Sequence, residues 1–575
     1  MASESPHTPS MGNQASPKPN SQGKRPAPHQ RSQQGKKRQQ KKMRKRERDM
    51  KNGSTEEVLS FDLRHLRDSL TATEAEAEGD ESEVATTVAE EYLPVTGSEI
   101  LLKVVELSST GDALAVQEGS SSKQIYVLSF AVPGDIVKAK VYRHLREEGY
   151  TIADFISVVS SAPTRDDARV QCGYFAKCSG CQLQMLDYND QLAHKKRIVE
   201  KAFRNFSNLP PDLIPAIADT VGSPLQYGYR TKLTPHFDGP PGPRKNNTAT
   251  FAKRPDIGFM LKGKRTTLDI EDCPIATDVV RAGMKSERER MDREFVKYRK
   301  GATILLREST KRIPKHGSTT DVEIDESAPV VKVETDAHVD WKSCVTDSNA
   351  TSTEYVGDYV FHNPAGSFFQ NNNSILPVFT DYIRQHIIPP TPSSGQAKDI
   401  PVKYLIDAYS GSGLFTITLS SLFQGSTGID IAESSIVFAR TNAKANNLPT
   451  SQANFIAADA GELFKSVHYP ADETVVVLDP PRKGCDADFL AQLLRFGPKR
   501  VVYVSCNVHT QARDVGVLVR GDAGDKGEGA NDKGTRYVIE SLRGFDFFPQ
   551  TGHVEGVAVL NRVDNDATLP ETTTE

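Results

Sequence analysis

The stretch RVVYVSCN at 500–507 ends an apolar run with a thiol followed by an amide. A buried strand has no use for that pair at its end, so Cys506 is either packing or a nucleophile. A free thiol with a pKa of roughly 8.5 is only a few per cent thiolate near neutral pH, so nucleophilic work calls for a neighbouring cation. ETVVVLDPPRKG at 473–484 offers one, because its apolar run ends in Asp479 with Arg482 and Lys483 close behind. FPQTGHVEGVAVL at 548–560 places His553 and Glu555 just before a last apolar run. Spacing alone leaves Glu555 open to being an ordinary solvated side chain.

A second group reads as a binding site. DAYSGSGLF at 407–415 is a glycine-rich turn between an apolar strand and a helical pattern, where the backbone can approach a ligand closely. Some twenty residues on, Asp430 closes a second strand, where a carboxylate can take hydrogen bonds from ribose hydroxyls. Asp459 in AADA follows a third strand and could face an adenine amine. The pair suits an adenosine cofactor, and without a GxxxxGK phosphate loop it favours S-adenosylmethionine over ATP. The competing reading is an ordinary α/β turn with surface acids.

The chain has 7 cysteines. Three fall within QCGYFAKCSGCQLQ: Cys172, Cys178 and Cys181, spaced C-x5-C-x2-C. Cys273 in DIEDCPIA can supply a fourth thiolate. Such a set suits an iron–sulfur cluster or a tetrahedral zinc, and otherwise stands as unligated buried thiols.

These residues need elements to position them. Within 575 residues of net charge −4, residues 366–562 alternate strand and helix and predict a doubly wound, mainly parallel α/β sheet whose carboxyl edge gathers the strand-end residues. Residues 93–165 hold short β-rich runs broken by Gly, Pro and Ser, the pattern of a small closed barrel. Residues 166–365 carry the cysteine segment in an α+β region, with a polar, irregular insertion expected at 309–352. Residues 1–92 read as a disordered tail, basic through GKKRQQKKMRKRER and then acidic, with FDLRHLRDSL as a short helix; 563–575 read as a second tail. The basic run suits nucleic acid or nuclear targeting, and a solvated tail is the plainer reading. No apolar run long enough to span a membrane is present, and no leader pattern is seen, so a soluble nuclear or cytoplasmic monomer is expected.

Taken in order, FFQNNN, DAYSGSGLF, LDPPRKG, VSCN and HVEGVAVL resemble the RNA uracil-5-methyltransferase family, over about 94–562. The likeness is greatest to its fungal-type tRNA members that act on the T-loop. The resemblance implies a Rossmann-like methyltransferase domain, an N-terminal TRAM barrel that binds RNA, and a [4Fe-4S] cluster on Cys172, Cys178, Cys181 and Cys273. It implies that Gln370, Tyr409, Asp430 and Asp479 hold S-adenosylmethionine, that Cys506 is the nucleophile and Glu555 the base. The substrate implied is tRNA at uridine 54, with ribosomal RNA as the alternative; a nuclease or a non-catalytic RNA binder are the rival classes. The sequence departs from the family at Val508, where many relatives carry Pro, and at Leu414, where bacterial members often carry Asn.

Overall fold

In a computed structural model of the chain, residues 53–77, 93–240, 250–315, 329–390, 401–458, 464, 466–522 and 534–563 are described. The basic run and Asp459 lie outside them.

Where a tail with only a short helix at FDLRHLRDSL was expected, a long helix forms, α1 (Thr55–Ala77). Its start is written in GSTEE: Ser54 Oγ accepts from Glu57 N at 3.3 Å while the Glu57 carboxylate accepts from Gly53 N at 2.6 Å. Leu59, Leu63 and Leu66 share one face and are buried against Leu114, Ile125 and Val127. The acidic composition of 53–92 hid this stripe, which needs only one side of the helix. Leu114, Ile125 and Val127 belong to a closed barrel of β1 (Glu99–Leu107), β2 (Ala113–Gln117), β3 (Ile125–Leu128), β4 (Ile136–Leu145) and β5 (Tyr150–Ser160), in the order β1-β2-β3-β5-β4.

The sheet that carries the strand-end motifs has eight strands. β6 (Ala218–Val221) lies at one edge, beyond helix α2 (Tyr188–Phe206) in the chain. The remaining elements are β7 (Tyr404–Ala408), α3 (Leu414–Leu419), β8 (Gly425–Asp430), β9 (Ala453–Ala457), β10 (Thr474–Leu478), β11 (Arg500–Ser505), α4 (Val508–Arg520), β12 (Arg536–Phe545) and β13 (Glu555–Val563). Their order is β9-β8-β7-β10-β11-β13-β12-β6. The first five strands run parallel, and β13 is antiparallel to both its neighbours.

The boundary expected at 366 is corrected by two elements. β6 pairs with β12, and Ile198, Val199, Ala202 and Phe203 of α2 share a core with Val501, Tyr503, Val515 and Leu518. An amphipathic helix joins whichever apolar face is nearest in space, which need not be nearest in sequence. The irregular insertion is corrected too. Leu306–Pro314, Val330–Glu334 and His338–Val345 form an antiparallel sheet with Lys232–Leu233; 316–328 lie outside the described residues. Its polar composition is that of a partly solvated sheet whose charges pair across strands, Lys342 with Glu308 at 2.7 Å and Arg312 with Asp340 at 2.8 Å.

Candidate functional site

Parallel register sets the level of the site. Ala408 pairs with Ile429 and with Leu478, so the next residues, Tyr409, Asp430 and Asp479, stand at one height on the carboxyl edge. The chain turns sharply there: Tyr409 has φ 64°, Gly411 53° and Gly413 92°, a left-handed run that costs a tyrosine conformational strain and glycine little. A Cβ on Gly428 would meet Thr416 Oγ1 at 2.6 Å and Phe455 at 2.7 Å, so that strand position also requires glycine.

Asp430 holds the turn. Its Oδ2 accepts from Gly411 N at 3.0 Å and its Oδ1 from Ala432 N at 2.8 Å, which leaves further lone pairs for hydroxyl donors. Beneath lies Asp407, fully buried, accepting from Thr416 N at 2.9 Å and Thr416 Oγ1 at 2.7 Å. Burial pushes its pKa up to about 7.

Gln370, Tyr409, Asp430, Asp479, Cys506 and Glu555 all line one cleft of about 820 Å³. Burial, then the Asp407 charge, raises Asp479 to about 7. The Cys506 thiol is pushed up to about 12, by burial first and then by the charges of Glu555 and Asp479. Glu555 is 2% exposed and is held well above the usual carboxylate range by burial and by Asp479. Arg482 opposes both shifts, through its charge on each group and a hydrogen bond to the thiol. Burial in the cleft therefore favours the protonated form of both the thiol and the carboxyl, with Arg482 as the cation that favours their ionisation.

The amide after the thiol has a local purpose. Asn507 caps α4, its side chain accepting from His509 N, and its Nδ2 donates to Arg482 O at 3.0 Å and Gly53 O at 3.2 Å. The residue thus ties the loop bearing Arg482 to the strand bearing Cys506. His553 is neutral, its pKa pushed down to about 4 by burial and by the charges of Arg482, Lys195 and Arg230. Sequence reasoning missed Asp407, Phe368 and Phe548. An acid inside the apolar VKYLIDAY was the signal for the first. Phe368 is 77% exposed and lines the cleft with Phe548, which only folding reveals.

The four cysteines lie on two segments of the chain. Cys178 bridges to Leu261, and the charges of Cys181, Cys172 and Cys178 each act on Cys273, which burial raises far above the usual thiol range. Among the described residues no three His, Cys, Asp or Glu side chains are arranged to hold a metal ion.

Residues 360–563 match the family model described as tRNA (Uracil-5-)-methyltransferase. A Schizosaccharomyces pombe protein named tRNA (uracil(54)-C(5))-methyltransferase is 44% identical over 465 residues, 81% of this chain and 78% of its own. One of the same name from Saccharomyces cerevisiae is 40% identical over 489 residues, 80% of this chain and 73% of its own. The crystal structure of Pyrococcus abyssi tRNA (uracil-54, C5)-methyltransferase in complex with S-adenosyl-L-homocysteine shares the fold, with TM-score 0.52 and 23% identity, covering 80% of this chain and 99% of that one.

Proposed function

This chain belongs to the tRNA (uracil-5-)-methyltransferase family, and from that premise we propose that it methylates carbon 5 of a uracil in tRNA, at the position 54 that both yeast relatives' names carry. The observation that carries the reading is a single cleft holding a thiol, an ionisable carboxyl and the strand-end acids of a cofactor site. S-adenosylmethionine supplies an electrophilic methyl group on a sulfonium. Asp430 would offer acceptors for ribose hydroxyls, and Gln370, Tyr409 and Asp479, which line the same cleft, would help hold and orient the cofactor. The residues fit it: the acidic side chains complement a cation, and the glycine turn leaves room for a nucleoside.

Carbon 5 of uracil is too weak a nucleophile by itself. Cys506, as thiolate, adds to carbon 6; the sulfur–carbon bond forms and the carbon 5–carbon 6 π pair moves to the O4 enolate. Carbon 5, made electron-rich, then takes the methyl group as the methyl–sulfonium bond breaks, its electron pair staying on the sulfur of the departing thioether, S-adenosylhomocysteine. Glu555 removes the remaining carbon 5 proton, the double bond re-forms, and the carbon–sulfur bond breaks to release Cys506. Arg482 stabilises the thiolate before addition and again as it leaves. The uracil must leave its stack to reach between the strand ends.

We also propose that Cys172, Cys178, Cys181 and Cys273 hold a [4Fe-4S] cluster with a structural role, since methyl transfer needs no electron. What supports it is the C-x5-C-x2-C spacing and the charges of Cys181, Cys172 and Cys178 acting on Cys273.

The test is methylation of in vitro transcribed tRNA by the full chain with methyl-labelled S-adenosylmethionine. Label is expected as 5-methyluridine at position 54 and absent from a tRNA carrying cytidine there. Label on ribosomal RNA in place of tRNA would overturn the substrate, and no label on either would overturn the activity.

A further inference from the structure

Lys195 on α2 is wholly buried, 0% exposed, outside the cleft. All three ammonium donors are used: on Asp546 Oδ1 at 2.5 Å, Phe548 O at 3.0 Å and His553 O at 2.7 Å. Asp546 directly follows β12, and His553 stands two residues before Glu555. One side chain therefore ties together both ends of the turn that links β12 to β13. Asp546 is fixed in turn, its Oδ2 accepting from Tyr188 OH at 2.9 Å and its Oδ1 from Phe548 N at 3.1 Å.

The turn is not one the backbone would adopt unaided. Gln550 sits at φ 71°, and its carbonyl accepts from Gln182 N at 2.8 Å and Leu183 N at 3.0 Å. Gln191 Oε1 accepts from Gln550 N at 3.0 Å. Buried ion pairs contribute little net stability compared with apolar packing, so a lysine kept here is better accounted for by the geometry it imposes.

We propose that Lys195 is a positioning residue for Glu555: its ammonium fixes the turn from which β13 starts, and so holds the carboxylate where the carbon 5 proton of the methylated adduct must leave. This rests on the reading of Glu555 as the base. Losing the clamp should slow the step in which the proton passes to Glu555 and the carbon–sulfur bond to Cys506 breaks, while leaving thiolate addition and methyl transfer in place.

The experiment compares wild type, Glu555→Gln and the double variant Lys195→Met, Asp546→Asn, which leaves neither charge buried alone. Single-turnover reactions with unmodified tRNA are read twice, as total methyl on RNA and as the share of methylated RNA still bound to protein on a denaturing gel. For the double variant, methyl incorporation is expected within about threefold of wild type and release about tenfold slower or more, with adduct accumulating. Tyr188→Phe, a milder change at the same carboxylate, should move the ratio in the same direction and decides the matter if the double variant does not fold. Release at the wild-type ratio in whichever of the two folds, or incorporation and release falling together by one factor, overturns the proposal. Normal release by Glu555→Gln would instead show that the base reading had failed.

Discussion

Cys506 and Glu555 flank the last rung shared by two antiparallel strands, and the Glu555 charge acts on the thiol. Ser505 on β11 pairs with Gly556 on β13; Cys506 directly follows the one and Glu555 directly precedes the other. On the proposed mechanism, a nucleophile and a base so placed work on neighbouring atoms of one flat ring.

Glu555→Gln keeps the shape of the side chain and removes its capacity to accept a proton. Thiolate addition and methyl transfer should continue, and elimination should stop. Protein bound to RNA is then expected to survive denaturing electrophoresis, and to be absent from Cys506→Ala, Glu555→Gln, which has no sulfur to form the bond. Wild-type turnover by the single variant would remove Glu555 from the base role.

On the proposed mechanism both Cys506 and Glu555 must lose protons to act, and burial favours the protonated form of each. The rate should therefore climb with pH through neutrality. Arg482 favours both ionised forms, so Arg482→Gln should move the ascending limb to higher pH. A limb displaced by about one pH unit lowers the rate at pH 7 by about tenfold. Single-turnover rates from about pH 6 to 10, a range that spans the ordinary thiol value, check this; an unmoved limb would mean that Arg482 does not act on either group.

Asp407 carries a folded pKa of about 7 against an ordinary 3.8. Between those values the folded state binds the proton and the unfolded state has lost it, so this residue's contribution makes stability fall as pH rises from about 4 to 7. Asp479, also near 7, adds in the same direction. Thermal midpoints of wild type minus Asp407→Asn, taken across about pH 4 to 8.5, should decline through that window. A difference that rises there would reverse the assignment.

The docking of α1 on the barrel can be measured at Leu63, 3% exposed among Leu114, Ile125 and Val127. Leu63→Ala should destabilise the protein by about 2–5 kcal/mol if the cavity stays open. Chemical denaturation giving less than a few tenths would show that α1 is not part of the folded body.

Protein purified without oxygen should carry iron and sulfide. Cys273→Ser, which removes the donor supplied from the distant segment, should lose most of both while methyl transfer by the remaining folded protein continues. Stoichiometric zinc without iron would decide for the other metal.

Periodicity was enough for the α/β sheet and the barrel, because apolar runs of strand length broken by glycine and proline leave few alternatives. Strand-end motifs were enough to bring Asp430, Asp479 and Cys506 to the cleft, since in an open parallel sheet every carboxyl end points to the same edge, whereas Gln370, Tyr409 and Glu555 came from the family resemblance. The helix after Gly53 was read only as a short piece at FDLRHLRDSL, because its acidic surroundings concealed both the cap in GSTEE and the leucine face that makes it part of the core. Polarity alone also disguised the sheet after Leu306, whose charges are matched only when its strands are paired.

Other features belong to the tertiary structure by their nature. The register that brings Cys506 and Glu555 into one cleft depends on where β13 inserts between β11 and β12, and no local pattern fixes a strand's partners. The buried Lys195 lies 351 residues from Asp546, in a helix whose sequence reads as ordinary amphipathic surface. Its charge found a place only when α2 packed against the turn before Glu555. The pKa shifts have the same origin. Residue type sets the starting value, and the water excluded by the assembled cleft sets how far each group departs from it.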